Sequence, residues 1–240
     1  DPTSVVTTDF SKFFDGLDWR HLKLILKALG IPSGLIGMYE GLFHQLVRHT
    51  GVGRFIDMQG FRATNGIIQG DALSLVWAAC ALTPWAIRMK RWNKITPKIY
   101  VDDRYIIARC AKQLQSAMYE TTRHDDMSNL MLNESKCMGT ASSTAARKRL
   151  ARMSFREGKL DTRKNFKALG HCVSGTKRKC LWLQNIRMKK GVKTANRVKA
   201  LQLPSRKQKK LGIGGIVAPR TSFGSWLGGV SKKEGRAAGA

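Results

Sequence analysis

The apolar residues of the chain recur at two spacings, one typical of helices and one typical of strands. Trp19, Leu22, Leu26 and Leu29 fall on one face of a helix, and Asp18 is well placed to cap its first turn. The helical spacing predicts further helices over residues 33–47, 71–89, 112–130, 185–201 and 205–211.

Short runs of β-branched and aromatic residues predict the strands. Ser4 to Phe10 is such a run, and it carries an acid, Asp9, at its end. Residues 54–58 and 61–64 predict a hairpin, and shorter extended pieces follow at 132–138 and 166–170. A chain with both kinds of element predicts a mixed α+β fold.

The segment from Lys98 to Ile107 carries the first chemical signal. It places two adjacent acids, Asp102 and Asp103, between two runs of strand formers, which predicts a hairpin with a carboxylate pair at its tip. One interpretation is a solvated surface turn. The other is a site for a hard cation such as Mg²⁺, and the apolar setting in a chain with few acids favours it.

Asp9 makes the cation interpretation stronger. If the strand that leads to Asp9 lies beside the hairpin in one sheet, three carboxylates converge. Such a set can hold two divalent cations about 3.5–4 Å apart, the arrangement that serves phosphoryl transfer.

The charge of the chain indicates a polyanionic partner. It has 43 Lys and Arg residues against 16 Asp and Glu residues, a formal net charge of +27. Of these, 26 basic and 3 acidic residues lie from Ala141 onward, so a nearly balanced first part is joined to a strongly basic second part. Nucleic acid is the simplest partner for such a surface, and an anionic membrane is the weaker alternative.

The cysteines and the chain start bear on the compartment. The 5 cysteines are an odd number without a CxxC pair, which argues against a disulfide framework and a zinc site and favours a reducing compartment. No apolar run reaches membrane-spanning length and no signal-peptide pattern is present. We therefore expect a location in the nucleus or cytoplasm, not secretion. The start at Asp1, without Met, suggests a piece of a larger protein.

The order of these pieces resembles a known family. Thr8 to Asp15, Gly66 to Ser74 and Tyr100 to Asp103 resemble motifs A, B and C of reverse transcriptases, in that order. Leu132 to Lys136 resembles motif D, and Leu169-Gly170 resembles motif E. The resemblance is to non-LTR (LINE-type) retrotransposon enzymes in particular, and it extends to their thumb at Leu203-Pro204 and residues 216–224.

The resemblance implies an RNA-directed DNA polymerase. Such an enzyme transfers a nucleotide from a dNTP to a primer 3′-OH on an RNA template and uses two Mg²⁺ ions, for which Mn²⁺ can substitute. The implied fold is a right-hand palm, an antiparallel sheet with helices on one face, over residues 1–170. A basic, mainly helical thumb over 171–230 follows, and composition predicts a disordered tail over 231–240.

The family's fingers precede motif A, and this chain begins close to that motif. We therefore expect the fingers to be missing, together with any endonuclease region of a longer polyprotein. We also expect the fragment alone to be inactive in polymerisation.

The resemblance also implies roles for single residues. Asp9, Asp102 and Asp103 would be the catalytic, metal-binding acids, and the main chain at Phe10 would add to their site. Phe14 matches the ring that excludes a ribose 2′-OH, and Gln69 and Gly70 match the loop that touches template and nucleotide. Lys136 matches the catalytic lysine proposed to protonate the leaving pyrophosphate. For nucleic-acid binding, the basic clusters of the second part indicate Lys177, Arg178, Lys179, Arg187, Lys189 and Lys190.

Three alternatives stay open beside the retrotransposon enzyme. A group II intron-type reverse transcriptase shares the motifs. An RNA-dependent RNA polymerase typically has Gly before the paired acids and a small or acidic residue in place of the aromatic ring that excludes a 2′-OH, so Tyr100-Val101 and Phe14 argue against it. A nucleic-acid-binding remnant without catalysis is the third. Asp71 and Leu75 stand where Cys and Pro are common in the family, which affects only the local turn.

Overall fold

The computed structural model describes residues 2–156, 158–168, 171–175, 182–200, 205, 208, 210, 211 and 213–219. The chain forms two compact units, Asp1–Thr162 and Arg163–Ala240. The assignment of a palm ending at residue 170 and a thumb beginning at 171 stays a prediction.

The first unit contains six α-helices, a 3₁₀ turn at Glu134–Lys136 and eleven strands among its described residues, numbered here in chain order. The helices are α1 (Phe13–Gly16), α2 (Trp19–Ala28), α3 (Ser33–Gln45), α4 (Ser74–Met89), α5 (Ala111–Met127) and α6 (Thr144–Leu150). The strands are β1 (Ser4–Thr8), β2 (Val47–Arg48), β3 (Gly51–Val52), β4 (Phe55–Ile56), β5 (Phe61–Arg62), β6 (Ile95–Tyr100), β7 (Asp103–Ala108), β8 (Met138–Ala141), β9 (Ser154–Phe155), β10 (Gly158–Lys159) and β11 (Asp161–Thr162).

A five-stranded sheet in the order β11-β8-β1-β7-β6 organises this unit. The β1/β7, β1/β8 and β6/β7 pairs are antiparallel, and β11 runs parallel to β8. On β7 the side chains alternate, so that Arg104, Ile106 and Ala108 are buried and the residues between them are half-buried. Helices α4 and α5 contact β6 and β7, and their buried residues join Ile106 in one hydrophobic core. The mixed fold predicted from the sequence is confirmed at this level.

Local signals account for where the helices begin. The Asp18 carboxylate accepts a hydrogen bond from Arg20 N at 2.8 Å, so the predicted cap of α2 is confirmed. The buried residues of α2, Trp19, Leu22 and Leu26, lie on the predicted face. None of the helices in the described parts of the chain has the length and apolarity needed to cross a lipid bilayer.

The prediction of a hairpin between residues 54–58 and 61–64 is wrong. Strand β4 pairs with β3, and β5 pairs with β2, so two short ladders are nested in the segment between α3 and α4. The turn that closes the inner ladder is at Gly53, which has φ +63°, and Gly60 lies between β4 and β5. A two-residue strand has too little side-chain pattern to specify its partner.

The second unit contains β12 (Asn165–Ala168), β13 (His171–Ser174) and α7 (Trp182–Ala200). Strands β12 and β13 form an antiparallel pair, and a π-helical turn spans Ile213–Val217. Helix α7 agrees with the helix predicted over 185–201. Residues 206, 207 and 209 of the helix predicted over 205–211 lie outside the described residues, as do the Leu169-Gly170 and Leu203-Pro204 pieces and the predicted tail.

Candidate active site

The turn between β6 and β7 holds the acid pair. Tyr100 pairs with Asp103, so Val101 and Asp102 form the two-residue turn of a hairpin. Val101 has φ +57°, a left-handed conformation that is rare for a β-branched residue. Asp102 thus lies in the turn and Asp103 opens β7, and both are half-buried.

Asp9 reaches the same place from the central strand. Strand β1 lies beside β7, with Thr8 opposite Arg104, and extending this register by one residue places Asp9 opposite Asp103. Side chains opposite each other on antiparallel strands have Cβ atoms about 4.5–5.5 Å apart. The three predicted acids therefore come together at one end of the sheet, which we call the acidic edge.

The pKa of Asp103 reflects this crowding. Burial raises the pKa of the Asp103 carboxyl above its ordinary 3.8, and the negative charges of Asp102 and Asp9 raise it further. The Lys136 ammonium acts in the opposite direction. An acid whose ionised form is disfavoured by neighbouring acids gains from a bound cation.

Lys136 lies directly against Asp9. Its Nζ is 2.9 Å from Asp9 Oδ2, and this contact raises the pKa of the Lys136 side chain above its ordinary 10.5. The backbone explains the placement, since Asn133 N donates to Asp9 O at 2.9 Å and Ser11 N donates to Met131 O at 2.8 Å. The predicted motif D segment is therefore joined to the strand end that carries Asp9.

The acids fit a hard cation, although Lys136 now occupies one of them. Asp9 Oδ2 is buried, and among the described residues it accepts no hydrogen bond of good geometry and has the Lys136 ammonium as its close partner. Within the part of the chain that the structure describes, no three His, Cys, Asp or Glu side chains already stand in metal-binding geometry. An anionic oxygen without hydrogen bonds is a ligand that Mg²⁺ accepts. A cation at the acidic edge would have to displace Lys136 from Asp9.

Phe10 and Phe14 follow Asp9 in chain order but take different positions. The Phe10 ring is buried, and its backbone lies in a bridge with Leu132 that uses the Asp9 carbonyl and the Ser11 N–H rather than the Phe10 carbonyl. Phe14 is half-buried and meets Phe13 edge to face, with ring centroids 5.6 Å apart.

The loop over residues 65–73 is hydrogen-bonded to the segment that follows Asp9, at helix α1 and the residue after it; this segment is called the turn after Asp9. Gly66 N donates to Leu17 O and Ile67 N donates to Phe14 O, both at 2.8 Å. Gly66 has φ +92°, and a Cβ atom there would lie 2.7 Å from Phe14 O. Only glycine can occupy this position without a backbone shift.

The far end of the same loop is fixed by a polar network. Ser74 Oγ donates to Ile68 O, and Tyr39 OH lies 3.3 Å from Ser74 Oγ. Asp71 Oδ2 accepts from Leu73 N at 3.1 Å, which closes an Asx turn just before α4. Gln69 and Gly70, exposed between the two fixed ends, are therefore accessible to a ligand.

The basic residues predicted to bind nucleic acid fall in the second unit. Arg187, Lys189 and Lys190 lie on α7, where the two lysines are exposed. Lys177, Arg178 and Lys179 lie outside the described residues.

Comparison with known proteins identifies the family. The family profile described as reverse transcriptase (RNA-dependent DNA polymerase) matches residues 1–173. The chain belongs to the reverse transcriptase family. Among curated proteins, none matches it.

Solved telomerase structures share the fold of this reverse transcriptase chain. Apo telomerase from Candida tropicalis, truncated from the C-terminal domain, gives a TM-score of 0.53 at 12% identity, over 72% of this chain and 34% of that one. Candida tropicalis telomerase in complex with the TWJ fragment of telomeric RNA gives 0.54 at 11% identity, over 96% and 40%. The chain thus spans less than half the length of either telomerase, and at these identities the likeness shows the fold alone.

One feature of this reverse transcriptase chain escaped prediction from the sequence. Arg104 and Asp125 form an ion pair whose side chains are both fully buried. A signal for it was present. Arg104 occupies a buried-face position of β7, and Asp125 lies four residues after buried Thr121 and seven after buried Met118 on α5. Two opposite charges at core positions indicate a buried pair.

Proposed function

We propose that the chain is the palm and part of the thumb of an RNA-directed DNA polymerase encoded by a non-LTR retrotransposon. The observation that carries the proposal is the register that puts Asp9 opposite Asp103, with Asp102 next to it. Family membership supports polymerase chemistry. The proposed retrotransposon origin rests on the amino-acid sequences of the motifs around Asp9, Gln69 and Asp102.

Two divalent cations are the proposed cofactors, Mg²⁺ in the cell and Mn²⁺ as a substitute. Asp9, Asp102 and Asp103 would hold them, since their carboxylates crowd together at the acidic edge. When bound, such ions stabilise the attacking and leaving oxygens of phosphoryl transfer. The exposed backbone at Gln69 and Gly70 would contact the base pair being formed, and Phe14 would exclude a ribose 2′-OH.

Lys136 is the proposed proton donor to the leaving pyrophosphate. While it is paired with Asp9, its raised pKa makes the ammonium a weak acid. If a cation displaces it from Asp9, the pKa falls back toward the ordinary value of 10.5, and proton transfer to an anionic oxygen becomes easier. Displacement would therefore prepare Lys136 for its role.

RNA template, DNA primer and dNTP are the proposed ligands, with the remainder of a longer polyprotein as a covalent partner and no membrane contact. The net charge of +27 and the exposed lysines of α7 suit a phosphate backbone. A telomerase of the same fold is solved with an RNA fragment, which agrees with an RNA ligand. The free thiols of Cys80, Cys110, Cys137 and Cys172 suit the reducing interior of a host cell, in its nucleus or cytoplasm.

The test is primer extension by the protein expressed from its full reading frame. With an RNA template, a DNA primer, dNTPs and Mg²⁺, we expect extension, and we expect Asp102→Asn and Asp103→Asn each to abolish it. Primer–template affinity should stay within a few fold, because these acids hold cations and not phosphate. Asp57→Asn, which neutralises an exposed acid between β4 and β5, is the matched control. Near-normal extension by either edge variant would refute the assignment.

Binding of nucleic acid without catalysis is the second candidate. The observation that favours it is the Lys136–Asp9 ion pair, which neutralises the central acid without a metal. If the full-length protein binds primer–template with the affinity expected of a basic protein but incorporates no dNTP with Mg²⁺ or Mn²⁺, this second function is the correct one.

A further inference from the structure

Arg104 is a charged residue on the buried face of the sheet. Its Nη1 and Nη2 atoms donate to Asp125 Oδ1 and Oδ2, each at 2.7 Å. The charge of Arg104 is thus matched within the pair. Burying such a pair costs desolvation that its mutual attraction hardly offsets, so the pair is a poor source of stability. The other contacts of Arg104 indicate a role beyond stability.

The guanidinium also contacts both residues that flank Asp9. Arg104 Nε donates to Thr8 Oγ1 at 3.2 Å, and Arg104 Cζ lies 4.2 Å from the centroid of the Phe10 ring. Arg104 itself follows Asp103 in β7. One rigid, planar group therefore links the neighbours of two acids that lie on adjacent strands.

Three elements fix the position of this group. Asp125 holds it from α5, Thr8 and Phe10 hold it from the end of β1, and Trp85 on α4 lies 5.1 Å away, measured from Arg104 Cζ to the ring centroid. A lysine in this place has no planar fork and makes no comparable set of contacts. Cation sites need their ligands held within about 0.5 Å of the productive geometry, which requires support of this kind.

We propose that Arg104 is a positioning residue that sets the separation of Asp9 and Asp103 and thereby the affinity of the acidic edge for divalent cations. This inference rests on the proposed function, because it takes the acidic edge to be a cation site. It adds a residue that touches neither substrate nor cation and acts through Thr8, Phe10 and the strand register.

The first test removes both partners together. Arg104→Met alone would leave the buried Asp125 charge without its arginine partner, with His124 Nδ1 at 3.4 Å from Asp125 Oδ1, and such a variant is expected to misfold. Arg104→Met combined with Asp125→Leu replaces the pair with apolar side chains, of which Leu keeps the branched skeleton of Asp, so we expect an unfolding midpoint close to that of the parent. We expect the Mn²⁺ affinity of this paired variant to fall by about tenfold or more, since ligand misplacement weakens a site that stays folded.

The second test changes a single hydrogen bond. Thr8→Val keeps the shape of the side chain and removes the acceptor of Arg104 Nε, whereas Thr8→Ser keeps the acceptor. We expect Thr8→Val to weaken Mn²⁺ binding several-fold and Thr8→Ser to bind as the parent does. Leu114→Ala, a buried truncation on α5, controls for loss of stability without a change in hydrogen bonds to β1 or β7.

The readout is Mn²⁺ binding to the full-length protein, followed by electron paramagnetic resonance with Asp103→Asn as the reference for a lost site. Affinities within twofold of the parent in both the paired variant and Thr8→Val would overturn the inference, as would a parent whose Mn²⁺ binding does not depend on Asp103. Failure of the proposed function looks different. In that case Mn²⁺ binds and depends on Arg104, yet the parent incorporates no dNTP.

Discussion

Lys136 Nζ lies 2.9 Å from Asp9 Oδ2, so an ammonium group stands at the carboxylate to which we assign a divalent cation. The lysine side chain is 63% exposed and the aspartate side chain 18% exposed, which makes this a pair that a competing cation can reach. The contact also links the segment after α5 with the end of β1. Removing the Lys136 ammonium should therefore strengthen metal binding but lower turnover.

Lys136→Met should bind Mn²⁺ more tightly than the parent. A cation at Asp9 must displace the ammonium, and removing the ammonium removes that competition. Because exposed ion pairs are weak, the gain should be about two- to fivefold. Mn²⁺ titration at pH 7 measures it, with the exposed Lys27→Met as control. Turnover should fall in the same variant, since the proton donor is gone, and a loss of both affinity and turnover would contradict the competition.

Asp103→Asn should make the folded chain more stable at pH 7. The pKa of Asp103 is raised in the folded state, so its protonated form favours folding, and that contribution is lost as pH rises through the raised value. Above it the ionised carboxylate is a cost that Asn removes. At pH 3, below the ordinary pKa of 3.8, the gain should vanish.

The measurement for Asp103→Asn is the urea midpoint at the two pH values. Glu134→Gln, which neutralises an exposed acid in the segment before β8, is the control. A less stable Asn variant at pH 7, or a gain that persists unchanged at pH 3, would show that Asp103 is not crowded by its neighbours.

Phe14→Ala should relax sugar discrimination in the full-length enzyme. The half-buried Phe14 ring lies in α1, five residues after Asp9. Its removal opens space where a 2′-OH would collide. The ratio of kcat/KM for dGTP and rGTP is the measurement. As the control, Phe55→Ala removes an 84% exposed side chain from β4 and should leave this ratio unchanged. A ratio within threefold of the parent in Phe14→Ala would make Phe14 a core residue only.

Much of the fold could be predicted because its signals are local. The alternation in β7, the Asp18 cap and the apolar face of α2 each identify an element without knowledge of its partner. Helix α6 was missed, since Leu150 is its only buried residue and the segment is rich in basic residues. Its one local signal is Ser143, whose side chain accepts from Ala146 N at 3.1 Å.

The site could be predicted only as a set of residue types. The order of the motifs indicated that Asp9, Asp102 and Asp103 belong together, and the β1/β7 register supplies the reason. The Lys136–Asp9 contact and the Arg104–Asp125 pair depend on tertiary packing between elements distant in sequence. Periodicity places Arg104 and Asp125 on buried faces but carries no distances, so it could suggest that pair without fixing its geometry, and it gives no signal for the Lys136–Asp9 contact.

Binding of primer–template should depend strongly on salt and weakly on sequence. The exposed Lys189 and Lys190 of α7 suit phosphate contacts, which release counterions. Between about 50 and 200 mM salt, several such contacts cost on the order of 10³ in affinity. Lys189→Gln combined with Lys190→Gln should lower the slope of log affinity against log salt by about 2, and Lys27→Gln should not. A nearly flat dependence in the parent would contradict phosphate binding.

The glycines of the 65–73 loop offer a test of how the loop is joined to the strand end at Asp9. Gly66 and Gly70 have nearly the same φ, +92° and +91°, but different surroundings. A Cβ atom at Gly66 would lie 2.7 Å from Phe14 O, while one at Gly70 would meet no atom within 4 Å. Alanine at either position must adopt a positive φ, which costs roughly 1–2 kcal/mol. Only at Gly66 does alanine also create a steric clash, which costs roughly 1–3 kcal/mol more.

We therefore expect the free energy of unfolding to fall in the order parent, Gly70→Ala, Gly66→Ala. Urea denaturation at one temperature measures all three, and the difference between the two variants reports the contact with Phe14, since both glycines have a positive φ and only Gly66 has a neighbour within 4 Å of an added Cβ. Gly66→Ala should also lose more primer extension than its stability predicts, since relief of the clash moves the loop away from Phe14 and with it the exposed backbone at Gln69. Equal losses of stability in the two variants would show that the loop is not held against the turn after Asp9.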